Sequence, residues 1–364
     1  MIRKKKVKEM SQFKIALYPG DGIGPDVLEQ AVRVMHRIGE IHDLTFDTKS
    51  LDWGHAYWKK HGTVVPEGFL EEIREVDSIL LGAVGWPDEI PDHVTLAPLV
   101  QIRQAFDQYA CVRPANLFSG LESVLAGRTS KDIDFVVVRE NSEGEYIDNG
   151  GRFKQGTADE VAVQTAIHTR KGVESILRFA FDTARRRRGK LTMATKSNAQ
   201  KYSYVMWDDI LEELKSEYPD VEAERMHCDA AVMNLVRWPE QFDVVVASNL
   251  FGDLLTDLGG ILGGGLGLAP SSNENPTREF PSMFEPVHGS APDIAGKGIA
   301  NPIAAILSLA MMLDHLECVN AAEDVRKAVE SALLQGARTP DLGGQLTTIQ
   351  MGDAVIAALT TAES

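Results

Sequence analysis

In the segment NLFGDLLTDLGG, Asp253 and Asp257 stand four residues apart. On a helix that spacing points both carboxylates the same way, and Leu254, Leu255 and Leu258 surround them with apolar surface. Like charges at that spacing repel even when exposed, and near a core they call for a neutralising cation. An all-oxygen set suits a hard divalent ion, Mg²⁺ or Mn²⁺; a solvated face on a short helix is the plainer alternative. A second group is cationic. RENSEGEY places Arg139, Glu140, Glu143, Glu145 and Tyr146 at and just past the end of the apolar run 133–138, where α/β sheets hold ligands. Arg103 and Arg113 lie upstream, in QIRQ and CVRP. Three arginines can clamp a substrate with two carboxylates by bidentate pairing, or each can pair with one of the chain's many acids. Lys196, in TKSN after the apolar run 191–194, is either a base or a solvated lysine.

These side chains need a frame, and the chain is long enough to supply one. Its 364 residues, 44 % hydrophobic and 25 % charged, fit a soluble protein of about two domains. The longest apolar stretch, 303–313, falls well short of the ~20 residues that span a bilayer, so integral membrane placement is not expected. With 37 Lys and Arg against 53 Asp and Glu, the formal net charge is −16. Such a chain repels phosphate backbones, so nucleic acid is not expected as a partner. An anionic substrate then requires a local positive site. The run RRRRGK, at Arg185–Arg188, ends a helix candidate, where the dipole alone favours cations. Cys111, Cys228 and Cys318 form no CxxC pair, consistent with a reduced, cytoplasmic compartment and no zinc site. The basic start MIRKKKVKEM has no apolar run after it and reads as a solvated tail.

Uniformly apolar runs at 13–18, 78–84, 133–138 and 244–247 read as strands covered on both faces. Helical spacing covers 172–186, 206–218, 302–316 and 322–334, so the chain is α/β. Six glycines within 259–267 suggest a hinge or a close backbone approach more than an element interior. GDGIGPD, between a strand and a helix, invites a Rossmann reading. Gly20 and Gly22 fit that fingerprint, but its sixth place is Pro25, a residue suited to a first helical turn. A dinucleotide site is therefore expected elsewhere.

GDGIGPDV, RENSEGEY, TKSN, NLFGDLLTDL and FEPVHGSAPDIAGKGIANP stand in an order that resembles the metal-dependent, decarboxylating 2-hydroxy-acid dehydrogenases. That family, the isocitrate/isopropylmalate dehydrogenases, also includes homoisocitrate, tartrate and D-malate enzymes. LDWGHAYWKKHG, GWPDEIPDHVTL and FDQYACVRP look most like its tartrate and D-malate branch. The isopropylmalate branch carries a glutamate seven residues before the first substrate arginine, where this chain has Leu96. HVTLAPLVQIR departs from the branch by one missing residue, and Pro98 lacks a backbone donor, so the loop that reads the substrate's distal end is expected to be altered.

The resemblance implies an α/β/α sandwich distinct from a Rossmann fold, with a cleft between two domains. Residues 1–108 plus 267–364 would form the large cofactor-binding domain, and 109–266 a small domain with the dimer interface. It implies a homodimer with shared active sites, Lys196 and Asp229 coming from the partner. Asp229, Asp253 and Asp257 would hold Mn²⁺ or Mg²⁺, Arg103, Arg113 and Arg139 the carboxylates, Lys196 the hydroxyl proton, and Tyr146 would protonate the enol. Leu96 and Leu99 would border the substrate. NAD would lie against His288, Gly289, Ser290 and Ala291, with Asn301 on the adenine and Glu285 near the nicotinamide ribose. Asp293 favours a free ribose 2′-hydroxyl over a phosphate, hence NAD⁺ over NADP⁺, and NADP-using relatives carry Lys-Tyr where this chain has Asp293 and Ile294. Many relatives also need K⁺, for which the sequence has no motif. The expected substrate is tartrate or D-malate, the latter giving pyruvate and CO₂. The alternatives are 3-isopropylmalate, with Leu96, Leu99 and Val100 as an apolar wall, and a metal-dependent lyase that decarboxylates tartrate without net redox change.

Overall fold

The first apolar run, 13–18, lies inside a ten-residue strand of a ten-stranded sheet. The computed structural model describes residues 11–360, and the basic run MIRKKKVKEM lies outside them. The first third of the chain forms β1 (Ser11–Gly20), α1 (Gly24–His42), β2 (Leu44–Ser50), α2 (His55–His61), α3 (Phe69–Glu72), β3 (Ser78–Ala83) and α4 (Asp92–Ala105). The middle forms β4 (Ala110–Asn116), β5 (Asp134–Glu140), β6 (Gly150–Phe153), β7 (Val161–Gln164), α5 (Arg170–Arg185), β8 (Lys190–Thr195), α6 (Ser203–Lys215), β9 (Glu222–His227), α7 (Cys228–Arg237), β10 (Val244–Ala247) and α8 (Asn249–Leu262). β11 (Pro270–Glu274), β12 (Ser282–Pro286), α9 (Ile303–His315), α10 (Val319–Leu334) and α11 (Thr348–Thr360) complete it.

The sheet order is β2-β1-β3-β12-β11-β4-β5-β10-β8-β9. β2, β1, β3 and β12 are mutually parallel, as are β5, β10, β8 and β9. Between these blocks the β12–β11, β11–β4 and β4–β5 pairings are antiparallel, so the two blocks run in opposite directions. Four of these parallel strands, β1, β3, β5 and β10, contain the apolar runs of the sequence, whereas no residue of the outer strands β2 and β9 is buried. β3 and β10 are buried at every residue, as strands covered on both faces must be. The antiparallel centre, with Ser271, Ser272 and Asn273 buried in it, has no apolar signature and is not anticipated by the sequence. β6 and β7 form a separate hairpin, exposed throughout.

Helices cover both faces. α1, α9, α10 and α11 pack over Ile15, Leu80 and Phe284 on one face of the first block. Trp53, Phe69, Leu99, Ile102 and Phe106 cover Ala16, Tyr18, Ile79 and Leu81 on the other. α5 and α6 cover one face of β5, β8 and β10, and α7 and α8 cover the opposite one. This is the α/β/α sandwich expected, and it is not a standard Rossmann order. Among the described residues no helix is long and apolar enough to cross a membrane.

Two local expectations are corrected. The segment around Pro98 is not a loop but the interior of α4, where the missing N–H of Pro98 leaves the Val94 carbonyl without its regular helical donor. In 259–267, Gly259 and Gly260 are interior to α8, which ends at Leu262. They are close approaches: a Cβ on Gly259 would stand 3.2 Å from the Ala115 Cβ, and one on Gly260 3.0 Å from Leu266 Cδ2.

The GDGIGPD turn serves packing. Gly22 takes φ +59°, and a Cβ there would lie 1.9 Å from the Ser290 carbonyl oxygen. That same carbonyl accepts the Ile23 N–H at 2.8 Å, so the turn grips the loop after β12. Gly22→Ala combines backbone strain with a clash against main chain. It should lower unfolding stability by more than ~2 kcal/mol, read as a lower urea midpoint at unchanged slope.

Candidate active site

Sheet register assembles the charged residues. Arg139 on β5 lies opposite Cys111 on β4, and Cys111 opposite Asn273 on β11. Ser271, two residues before Asn273, lies opposite Glu285 on β12. Because side chains alternate along a strand, Arg139, Cys111, Arg113, Ser271, Asn273 and Glu285 share one face. Contacts follow from it: Arg113 Nε donates to Ser271 Oγ at 3.2 Å, and Asn273 Nδ2 to Glu285 Oε1 at 2.7 Å.

α8 lies over β4 and β5 on this face. At Gly252 a Cβ would stand 2.7 Å from Arg139 Cβ and Cγ, so only glycine permits the approach. One residue on, Asp253 meets two guanidinium groups. Arg139 Nη1 donates to Asp253 Oδ1, and Arg113 Nη1 donates to the same oxygen at 3.2 Å. Arg139 Nε and Nη2 both donate to Asn249 Oδ1, at 3.0 and 2.7 Å, and Arg113 Nη1 also donates to Thr256 Oγ1 at 2.7 Å. Tyr146 Oη donates to Asp253 Oδ2 at 2.9 Å, its ring against the Arg139 guanidinium at 5.2 Å. From α4, Arg103 Nη2 donates to Glu285 Oε1 at 2.9 Å, while its Nε is buried without a partner.

The electrostatics follow these neighbours. Burial alone would raise the Asp253 carboxyl; Arg139, Arg113 and the Tyr146 hydroxyl outweigh it and hold it below the usual range. Asp257 goes the other way, raised by burial and by Asp253. Its carboxylate has no hydrogen-bond partner among the described residues. Burial lowers Arg139, and crowding by Arg113 and Arg103 adds to that. Burial and the Asp253 charge push the Tyr146 hydroxyl up. Two clustered carboxylates, one of them unpartnered and raised by its neighbour, fit a divalent cation, which would relieve that repulsion.

Lys196 follows β8 and Asp229 opens α7, and the two pair with each other. That pairing, before anything else, holds the Asp229 carboxyl down. Among the described residues no three His, Cys, Asp or Glu side chains converge to hold a metal, so this chain alone does not bring Asp229 to Asp253 and Asp257.

After β12, the 288–301 loop has its own bonding. His288 Nδ1 bonds the Gly289 carbonyl oxygen at 2.9 Å; burial lowers its pKa, and its Nε2 is unpartnered. Ser290 is buried, Ala291 takes φ +39°, and Asp293 is exposed without a side-chain partner among the described residues. Asn301 is committed within the fold: its Oδ1 accepts the Ile303 N–H at 3.1 Å and its Nδ2 donates to Asp341 Oδ2 at 3.0 Å. Leu96 is 46 % exposed, whereas Leu99 is 4 % exposed and packs under the sheet, which removes it from the expected substrate wall.

The isocitrate/isopropylmalate dehydrogenase family model matches residues 14–355. The chain belongs to that family. It is 47 % identical over 354 residues to D-malate dehydrogenase [decarboxylating] of Escherichia coli (strain K12), covering 95 % of this chain and 98 % of that one. It is 47 % identical over 352 residues to tartrate dehydrogenase/decarboxylase of Pseudomonas putida, covering 94 % and 96 %. An isocitrate dehydrogenase structure from Methylococcus capsulatus superposes with a TM-score of 0.85 at 39 % identity, over 95 % of this chain and 99 % of that one. Both the family and the likeness to the tartrate and D-malate branch are as the motifs imply.

In this family member two of the three branch-marking stretches, LDWGHAYWKKHG and GWPDEIPDHVTL, meet. His55 stacks on Trp86 at 4.4 Å and bonds Glu89 at 2.9 Å, while Asp21 accepts the His55 and Gly85 N–H groups at 2.6 and 2.8 Å. Sequence reasoning missed Asp21, Asn249, Thr256, Ser271, Asn273 and Asp341. Polar residues alternating at 271 and 273 are a signal for the sheet pair; Asp341 has none. The Arg185–Arg188 run is largely neutralised, with Arg185 on Asp220, Arg187 on Asp134 and Asp243, and Arg188 on Asp134.

Glu140, next to Arg139, is 1 % exposed, and burial pushes its carboxyl up to about 7 against the N–H groups of Ser142 and Glu143. A raised folded-state pKa contributes stability that is present below the unfolded value and lost as pH rises through about 7. Wild type should therefore lose on the order of 1–3 kcal/mol between about pH 5 and pH 8, and Glu140→Gln should lose less. Urea midpoints across that range give the comparison, and equal slopes would exclude Glu140 as the source.

Proposed function

We propose that this protein oxidises, and oxidatively decarboxylates, a small 2-hydroxy dicarboxylic acid, tartrate or D-malate, with NAD⁺ and Mn²⁺ or Mg²⁺. The observation that carries this is the cluster of Arg103, Arg113 and Arg139 with Asp253 and Asp257, in a chain nearly half identical to enzymes named for those two substrates. The arginines bind the carboxylates, which puts positive charge where a chain of net charge −16 would otherwise repel the substrate. Asp253 and Asp257, with the partner subunit's copy of Asp229, would hold the metal. A bound divalent ion would polarise the substrate's hydroxyl and stabilise the enolate left when CO₂ departs. Lys196 takes the hydroxyl proton, and Tyr146 returns one to the enol carbon. Glu285, His288, Gly289, Ser290, Ala291, Asp293 and Asn301 would hold NAD⁺, which would supply the hydride acceptor.

The chain divides, in this reading, at 108/109 and 266/267 into two domains flanking the cleft. It acts as a homodimer in the cytoplasm. Exposed Val232, Met233 and Val236 on α7 and Leu254 and Ile261 on α8 give an apolar surface for a second copy. Supporting the compartment, Cys111, Cys228 and Cys318 are all free thiols.

NADH formation from D-malate, L-tartrate, meso-tartrate, 3-isopropylmalate and isocitrate, with and without chelator, tests the substrate. Turnover should be chelator-sensitive, led by D-malate or a tartrate, and faster in kcat/KM with NAD⁺ than with NADP⁺. Leadership by 3-isopropylmalate would overturn the substrate, and CO₂ release from meso-tartrate without net NADH would favour a lyase. Sharing of sites has its own test. Lys196→Met and Asp253→Asn homodimers should each be inactive, while a mixed dimer regains about half of the wild-type activity, because one of its two sites is complete. No recovery in verified mixed dimers would place both residues in one chain's site.

A further inference from the structure

Tyr146 approaches Asp253 from the loop after β5, and a loop holds a phenol in place only where it is anchored. Its neighbour Glu145 makes that anchor. Glu145 Oε1 accepts the Tyr204 hydroxyl at 2.8 Å and Ser248 Oγ at 3.2 Å, and Oε2 accepts the Leu250 N–H at 3.0 Å. Ser248 is the residue that caps α8, yet its own hydroxyl makes no capping bond and sits 2.5 Å from Tyr204 Oη. The helix is thus capped from outside, by a carboxylate whose charge suits the positive end of the dipole. The grip extends to both sides. Asn249 Nδ2 donates to the Glu143 carbonyl at 3.0 Å, and one turn beyond Leu250, Asp253 accepts Tyr146 Oη. His168 closes the far side, with Nε2 4.0 Å from Glu145 Oε1 and Nδ1 accepting Trp207 Nε1 at 3.2 Å. Consecutive residues, Glu145 and Tyr146, therefore clasp consecutive turns of the helix that carries the carboxylate pair.

We propose that Glu145 is a positioning residue for proton transfer at Tyr146, fixing the phenol against α8 by capping that helix. This rests on the reading of Tyr146 as the proton donor. The hydrogen-bond partners of Glu145 are Tyr204, Ser248 and Leu250 and none of the three arginines, so its loss acts on the chemical step and spares binding.

The test is a double-mutant cycle on the metal- and NAD⁺-loaded enzyme with its best hydroxy acid. Glu145→Gln keeps the size and removes the charge. Its kcat should fall about tenfold while KM for the hydroxy acid stays within about twofold. In the Tyr146→Phe background, Glu145→Gln should slow the enzyme by less than about twofold further, because it acts through a hydroxyl already absent. A full additional loss in that background, or a wild-type kcat for Glu145→Gln alone, would overturn the proposal. Wild-type turnover by Tyr146→Phe would instead sink the proton-donor reading beneath it. Should Glu145→Gln not fold, Tyr204→Phe removes one donor to the carboxylate and leaves the Leu250 bond. It should show the same split in smaller measure, and additivity with Tyr146→Phe would count against the proposal.

Discussion

Guanidinium groups set into one face of a buried sheet are the constraint on which this site depends. Arg139 is 2 % exposed and Arg113 9 %, and a buried charge costs several kcal/mol unless it is paired and hydrogen-bonded. Asp253 meets that demand for both, with Asn249, Thr256 and Ser271 accepting further N–H groups. The carboxylate reaches them only because α8 lies close to β5, and α8 lies close only because residue 252 has no side chain. Packing, charge balance and the spacing of the carboxylate pair are thus one problem with one solution.

The antiparallel centre of the sheet makes that solution possible. It places β4 and β5 beside β11 and β12, so that Arg113 contacts Ser271 and Arg103 meets Glu285. Register is strict there, since a slip by one residue would turn Arg139, Cys111 and Asn273 to the opposite face. Arg103 and Glu285 also join the segment expected to hold substrate to the one expected to hold the cofactor. A charge change at either end is felt at the other through a bond of 2.9 Å.

Much of this was legible in the residues. Uniform apolar runs marked β1, β3, β5 and β10, and the four-residue spacing of Asp253 and Asp257 placed them together on a helix. What escaped is what depends on distance in sequence or on context. The Arg103–Glu285 pair spans 182 residues, and no local pattern encodes it. The central strands β11 and β12 carry polar side chains inward because arginines lie opposite, which inverts the usual alternation. Pro98 suggested a loop through its missing N–H, but packing of Leu99 and Ile102 beneath the sheet outweighs one lost helical bond. Leu99 was assigned to the substrate wall by proximity in sequence; helical geometry turns it inward and leaves Leu96 outside.

The core formed by α1, α9, α10 and α11 joins residues 15–38 to residues 300–359. During synthesis, then, α1 emerges from the ribosome with Val27, Ala31, Val34 and Ile38 uncovered, and the helices that cover them follow only at residues 303–360. Residues 16–106 can close most of the opposite face among themselves, but the face under α1 stays open until α9, α10 and α11 are made. Late closure over such long loops is entropically slow and leaves apolar surface open to wrong partners. The topology that unites residues 15–38 with residues 300–359 in one core thus sets the order in which the protein's apolar surfaces can be covered.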